Sequence, residues 1–129
     1  MARRTDELTP EDRTFLTERH LATLTTLHSD GSPHVVAIAF TMDFDAGIAR
    51  VIASDGTQKV VNAERGDRGV LCQVDGRRWI SLEGRTRVRR DPDAVADAER
   101  RFEARYRPPR ENPTRVVVEI EIDRILGSG

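Results

Sequence analysis

Near its end the chain alternates: Val116, Val118, Ile120 and Ile122 are apolar, and between them stand Val117, Glu119, Glu121 and Asp123. This two-residue period belongs to a strand with one face in a core, and no helix satisfies it. Residues 78–90 alternate in the same way, with Trp79, Ser81 and Glu83 on one face and Ile80, Leu82 and Gly84 on the other. Two long strands of this kind commit the chain to a mainly β fold.

The remaining elements follow from local signals. Residues 1–8 read as a loose tail and residues 9–129 as one domain. Thr9-Pro10-Glu11-Asp12 opens a helix with a threonine cap, a proline in the first turn and two acids, and Phe15 and Leu16 begin its apolar face. Residues 21–28 form a strand, residues 29–33 a turn, and residues 34–40 the returning strand. That strand is apolar throughout, so both of its faces are expected to be covered. After a turn at residues 43–47 come a strand at 48–54, a short helix at 57–64 and a strand at 68–74. Asp75-Gly76 leads into the alternating segment. Asp91-Pro92-Asp93 repeats the cap-then-proline signal and starts a helix to about Tyr106, while Pro108, Pro109 and Pro113 keep the next stretch irregular. Six strands with short helices predict an α+β domain built on a six-stranded antiparallel barrel, with the helices packed outside.

Composition excludes several functions. A net charge of −1 in 129 residues argues against a general nucleic-acid binder, and 5% aromatics leave few stacking platforms. No apolar run is long enough for a bilayer and the first residues lack a signal-peptide core, so a cytoplasmic protein without membrane partners is expected. Cys72 is the single cysteine and reads as a small buried apolar residue. His20, His28 and His34 show no metal-ligand grouping, so no metal site is expected; only His34 merits watching.

One cation is unusual. Of 21 basic residues, Lys59 alone is lysine, and it follows Ser54-Asp55-Gly56-Thr57-Gln58 at the start of the short helix. A strand, a loop of small polar residues and a helix start bearing a cation make a place for an anion. The plainer alternative is a solvated surface lysine.

Several segments carry a family resemblance in their order and spacing. They are Leu24-Thr-Thr-Leu27 with Asp30-Gly-Ser-Pro-His-Val-Val36, then Ser54-Asp-Gly-Thr-Gln-Lys59 with Asn62, then Trp79-Ile-Ser-Leu-Glu-Gly-Arg85, and finally Val116-Val-Val-Glu-Ile120. Across residues 14–127 the chain resembles the split β-barrel family of pyridoxamine-phosphate-oxidase-like flavin and deazaflavin proteins. Glu18-Arg-His-Leu-Ala22, Gln73-Val-Asp-Gly76 and Tyr106-Arg-Pro-Pro-Arg110 are most similar to its actinobacterial branch that uses coenzyme F420, of the biliverdin reductase type.

The resemblance implies a homodimer with the cofactor in a groove at the subunit interface. It places Val35, Val36, Ala37 and Ile38 beside the tricyclic ring, largely through backbone groups. It gives the phosphate to the following loop, where Gly56 permits close approach, Ser54, Thr57 and Gln58 supply polar groups, and Lys59 supplies charge. Many relatives carry arginine where this chain has Thr57 or Gln58, so Arg50 or another arginine is expected to supply the missing cation. Arg77, Arg78 and Trp79 are candidates for the groove, where guanidinium groups suit an acidic coenzyme tail or a carboxylate-bearing substrate. The other reading is a solvated turn with Trp79 in the core or an interface. Arg107 and Arg110 are weaker candidates for the same task, and Arg85, Arg87 and Arg89 read as solvated.

The implied activity is hydride transfer from reduced deazaflavin to an unsaturated organic acceptor, with biliverdin, a tetrapyrrole, as one candidate. The cofactor then carries the electronic work, and no Ser-His-Asp or paired-carboxylate constellation competes with it. Arg78, His34 or a water would supply the proton. Two alternatives stay open: an FMN-dependent oxidase or reductase on the same fold, and a non-enzymatic module binding deazaflavin, haem or another tetrapyrrole.

Overall fold

A computed structural model describes residues 2–127. Seven strands form one antiparallel sheet: β1 (Ala22–Leu27), β2 (Pro33–Ile38), β3 (Thr41–Asp43), β4 (Ile48–Ser54), β5 (Arg68–Asp75), β6 (Arg78–Arg89) and β7 (Arg115–Gly127). Their order across the sheet is β2-β1-β5-β6-β7-β4-β3. Three helices accompany them: α1 (Pro10–Thr17), α2 (Gln58–Glu64) and α3 (Pro92–Arg105). The sheet curls, because both edges feed one core. Val36 and Ile38 of β2 and Met42 of β3 meet Leu24, Leu71, Leu82 and Ile120 from the strands between. Full burial of each such side chain contributes about 2 kcal/mol, and this shared interior closes the split barrel.

The sequence predicts six strands, and the seventh is β3. It has three residues, too few to display a period, and among the described residues it pairs with β4, in a hairpin in which Thr41 faces Arg50 and Asp43 faces Ile48. The expected loose tail is also corrected. Arg3 exchanges two 2.7 Å backbone hydrogen bonds with Ile125, residues Thr5–Glu7 form a 3-10 turn, and Leu8 is buried in the core. Asp12 explains why: its carboxylate accepts from the Thr9 N–H at 3.0 Å and from the Arg3 guanidinium at 2.6 Å, so the helix cap also holds the tail. A third expectation fails at β2, where Val35 is 58% exposed. Its outer face has no cover in this single chain.

β7 changes partners in step at one point. Glu83 faces Arg124, yet Gly84 faces Ile122, so Asp123 is extruded as a β-bulge. A Cβ on residue 84 would stand 1.8 Å from the Glu121 carbonyl oxygen, which is why the Glu-Gly motif needs its glycine. The extruded Asp123 carboxylate is gripped at both oxygens by Arg68, at 2.5 and 2.6 Å.

Helix α3 starts where Asp91 caps the Ala94 N–H and Pro92 occupies the first turn. It lies outside the barrel and is tied down by Arg101 to Asp43 and by Glu99 to Arg115. The strap that follows, residues 106–114, brings the chain back over the end of β2 and the loop after β4. Among the described residues no helix is long and apolar enough to cross a membrane.

Candidate functional site

A trough runs beneath the end of α3 and the strap. Its first lobe, about 290 Å³, has Ile38 and Ile52 on its floor and Lys59, Arg107 and Arg110 around it. A second lobe, about 370 Å³, shares Ala39, Phe102 and Arg107 with the first and extends to Arg19, His20, Leu21 and Tyr106.

The first lobe is built by stitching. The Asn112 amide donates to the Ser54 hydroxyl at 2.9 Å, and the Asp55 N–H donates to the Thr114 carbonyl at 2.9 Å. These bonds fix the strap against the loop and bring its arginines over Lys59. Gly56 adopts φ +81°, a conformation that side-chain-bearing residues rarely take. The Thr57 hydroxyl donates to the Ser54 carbonyl, and the Gln58 amide donates to Asn62. Lys59 is half-buried, and among the described residues no hydrogen bond or ion pair engages its ammonium. The same holds for the guanidinium groups of Arg107 and Arg110. A fourth cation, Arg115, is already paired with Glu99 at 2.7 Å.

The second lobe is held by two half-buried residues at the end of α3. The Arg105 guanidinium donates to the Glu18 carbonyl at 2.9 Å, the Phe40 carbonyl at 2.6 Å and the Gln73 side chain at 2.6 Å. It also lies 4.7 Å from the Phe40 ring centre. Burial lowers the Arg105 pKa and raises that of the Tyr106 phenol. The Tyr106 hydroxyl donates to the His20 carbonyl at 2.6 Å and accepts from the Phe40 N–H at 3.3 Å. Together they lock both chain crossings that frame the lobe.

The other candidates fall elsewhere. Arg50 is consumed by Asp43 at 3.1 Å and Glu119 at 3.5 Å, and it sits four residues up β4 from Ser54, roughly 13 Å away. His34 is equally far along β2 from Ile38, edge-on to His28 at 5.2 Å. Its Nδ1 is buried with no hydrogen bond among the described residues. Val36 and Ile38 turn toward the core, Val35 and Ala37 outward. Arg77, Arg78 and Trp79 stand at the β5–β6 turn, outside the lining of either lobe. Arg78 is held by Asp75 at 2.6 Å and Glu18 at 3.3 Å, and stacks over Phe15. Trp79 is 40% exposed on the outer face of the sheet. Arg87 and Arg89, read as solvated, reach the buried Glu119 carboxylate at 2.6 and 4.0 Å. Sequence reasoning passed over His20 and Arg19. Their one signal is the Glu18-Arg-His-Leu-Ala22 string already quoted for the resemblance.

The sequence profile of the family described as pyridoxamine 5'-phosphate oxidase matches residues 8–128. The chain belongs to that family. It is 58% identical over 128 residues to the F420H(2)-dependent biliverdin reductase of Mycobacterium tuberculosis, covering 99% of this chain and 93% of the relative. Among solved structures, the conserved hypothetical protein Rv2991 of M. tuberculosis superposes with a TM-score of 0.79 at 24% identity, covering 93% of this chain and 84% of that one. An F420 reductase superposes at 0.72 with 20% identity, over 88% and 94% of the two chains. At those identities the two structures speak for the fold alone.

Proposed function

We propose that this protein is a coenzyme F420-dependent reductase that passes a hydride from reduced F420 to a conjugated organic acceptor, with biliverdin the first to test. The 58% identity to the mycobacterial reductase supports this reading. The observation that carries it is the convergence of Lys59, Arg107 and Arg110, cations with no internal partner among the described residues, on one lobe of an apolar-floored trough. A phosphate with an acidic tail suits that donor set. Partnerless cations around a half-apolar lobe gain most from an anion that brings its own charge and displaces their water.

When bound, the deazaflavin supplies the hydride. The chain's residues do the rest. Lys59 and Arg110 hold the phosphate, with the anchored Ser54 and Thr57 hydroxyls beside it, and Arg107 bridges the two lobes. The edge of β2 from Val35 to Ile38 would flank the coenzyme, and the apolar floor would exclude water from the reacting faces.

The homodimer belongs to the same reading. Leu21, Val35, Val74 and Trp79 are all strongly exposed, and the partners Val74 and Trp79 stand opposite each other on adjacent strands. A second copy of the chain covering this face buries them and walls the open side of the trough. Light scattering at a dimer mass is expected; a monomer at micromolar concentration overturns it.

Polarisation titrations with F420, and calorimetry with FMN, test the cofactor. Micromolar binding of F420, with F420H2-dependent bleaching of biliverdin, is the expected result. Preference for FMN moves the protein to the flavin-using members of its family. Tight F420 or tetrapyrrole binding with no turnover over a panel of acceptors makes it a binding module.

A further inference from the structure

Resting on the reductase reading above, we infer that His20, oriented by Glu18, is the acid that protonates the acceptor, and that the lobe it lines takes a conjugated acceptor bearing carboxylates. Among the described residues lining that lobe, it alone carries an imidazole, the side chain most often used for general acid work. Arg19 and Arg107 are guanidinium groups that keep their protons. The Tyr106 hydroxyl is engaged by the His20 carbonyl, and burial pushes its phenol up, away from neutral chemistry. Leu21, Ala39 and Phe102 are apolar.

The imidazole is held as an acid should be. Its Nε2 lies 3.2 Å from a Glu18 carboxylate oxygen, and its ring packs 5.1 Å from that of Phe15. Nδ1 is thereby left for the acceptor. Glu18 is in turn fixed by Arg78, which Asp75 grips from the β5–β6 turn. The His20 hydrogen bond, aided by the Arg78 charge, holds the Glu18 carboxyl below the usual range, so it remains an anion. Arg78 therefore acts at one remove, through Glu18. The charged and titratable groups around the imidazole are Glu18 and Arg19 on its own segment, Asp75 and Arg78 from the β5–β6 hairpin, and Arg105, Tyr106 and Arg107 from the end of α3. Arg19 and Arg107, with no internal partner among the described residues, stand ready for the acceptor's carboxylates.

The step balances. An electron-poor carbon of the acceptor's conjugated C=C–C=N system takes the hydride and its electron pair from reduced deazaflavin. The π electrons shift to the nitrogen, which forms an N–H bond with the proton of the His20 imidazolium. The imidazole regains a proton from water at the open mouth of the lobe. The second hydrogen of the reduced coenzyme leaves as a proton to solvent, so the acceptor gains two hydrogens in all.

His20→Gln and Glu18→Gln are compared with wild type by polarisation titration of F420, absorbance titration of biliverdin, and kcat from pH 5 to 9. For His20→Gln both dissociation constants should stay within about twofold while kcat falls roughly 100- to 10,000-fold, the range of general acid catalysis. Added imidazole should restore part of the rate in His20→Ala. For Glu18→Gln the high-pH fall in kcat should move to lower pH once the carboxylate charge is gone. That second variant decides the matter if the first does not fold. Unchanged kcat in His20→Gln, biliverdin affinity lost in step with kcat, or an unmoved pH limb in Glu18→Gln overturns the role of His20 and leaves the F420 reading standing. A wild-type chain that neither binds F420 nor oxidises F420H2 overturns both.

Discussion

Two groups of cations lie on the same side of the barrel and behave oppositely. Around Glu119, whose side chain is only 4% exposed, Arg50, Arg87 and Arg89 converge, with Asp43 and Arg101 extending the network to α3. Around the first lobe of the trough, Lys59, Arg107 and Arg110 meet no internal partner among the described residues. The first group ties β3, β4, β6 and β7 together under the helix, and its charge is consumed. The second is held in place by neutral bonds, Asn112 to Ser54 and Asp55 to Thr114, so its charge remains available to a ligand. A cation marks a binding site through what it lacks; the number of arginines nearby decides nothing.

The contrast can be broken in order of effect. Glu119→Ala removes a buried carboxylate that Arg50 and Arg87 share, leaves Arg50 to Asp43, and should cost about 3 kcal/mol of stability, read by chemical unfolding, with F420 affinity little changed per folded molecule. Lys59→Ala should do the reverse. Loss of a charge-assisted hydrogen bond weakens F420 binding by about 2 kcal/mol, roughly thirtyfold in Kd, with thermal stability unmoved. Arg110→Ala should weaken binding by about 1 kcal/mol, roughly fivefold, and flatten its salt dependence, because an exposed guanidinium acts in screened solvent. A swap of these signatures would mean that the two groups had been assigned the wrong way round.

The smallest effect is in acid. Burial alone pushes the Asp43 carboxyl up, but the Ala46 N–H, Arg50 and Arg101 together hold it below the usual range. A carboxyl lowered in the folded state contributes stability that is present above its unfolded pKa of about 3.9 and lost as pH falls through the folded value. Unfolding between pH 5 and 2 should therefore show an acid limb that shrinks in Asp43→Asn, while Lys59→Ala retains it in full.

Much of this fold is legible in the sequence because alternation and capping are local. The faces of β6 and β7 and the start of α3 at Asp91-Pro92 follow from spacing alone. What escapes is what depends on distant partners. The three residues of β3 have meaning only against β4, and the seating of Arg3 only against Ile125. At the site, Lys59 stood out as a compositional oddity, and the structure places it in the trough. Arg50 looked equally available until its pairing with Glu119, 69 residues on, was visible. His20 reads in the sequence as one of three histidines without a metal grouping, because a glutamate two residues away is an ordinary neighbour on paper, and the turn that aims the pair into the second lobe is written in the Tyr106 and Arg105 bonds, more than 80 residues later.

The bulge at Gly84 also sets the punctuation of the last strand. Ahead of Asp123, Ile120 reaches the core opposite Thr86; beyond it, Ile125 does so opposite Leu82, so the inward positions pass from even numbers to odd. Had the ladder run on from Glu83 and Arg124 without the skipped residue, Arg87 would face Ile120, and Glu121 would turn inward opposite Thr86. The missing methyl of one glycine thus acts as a frameshift that brings Arg87 opposite Glu119. A one-residue insertion or deletion within the paired residues 84–89 or 117–122 shifts that phase and rewrites the charge partners on the outer face beyond it.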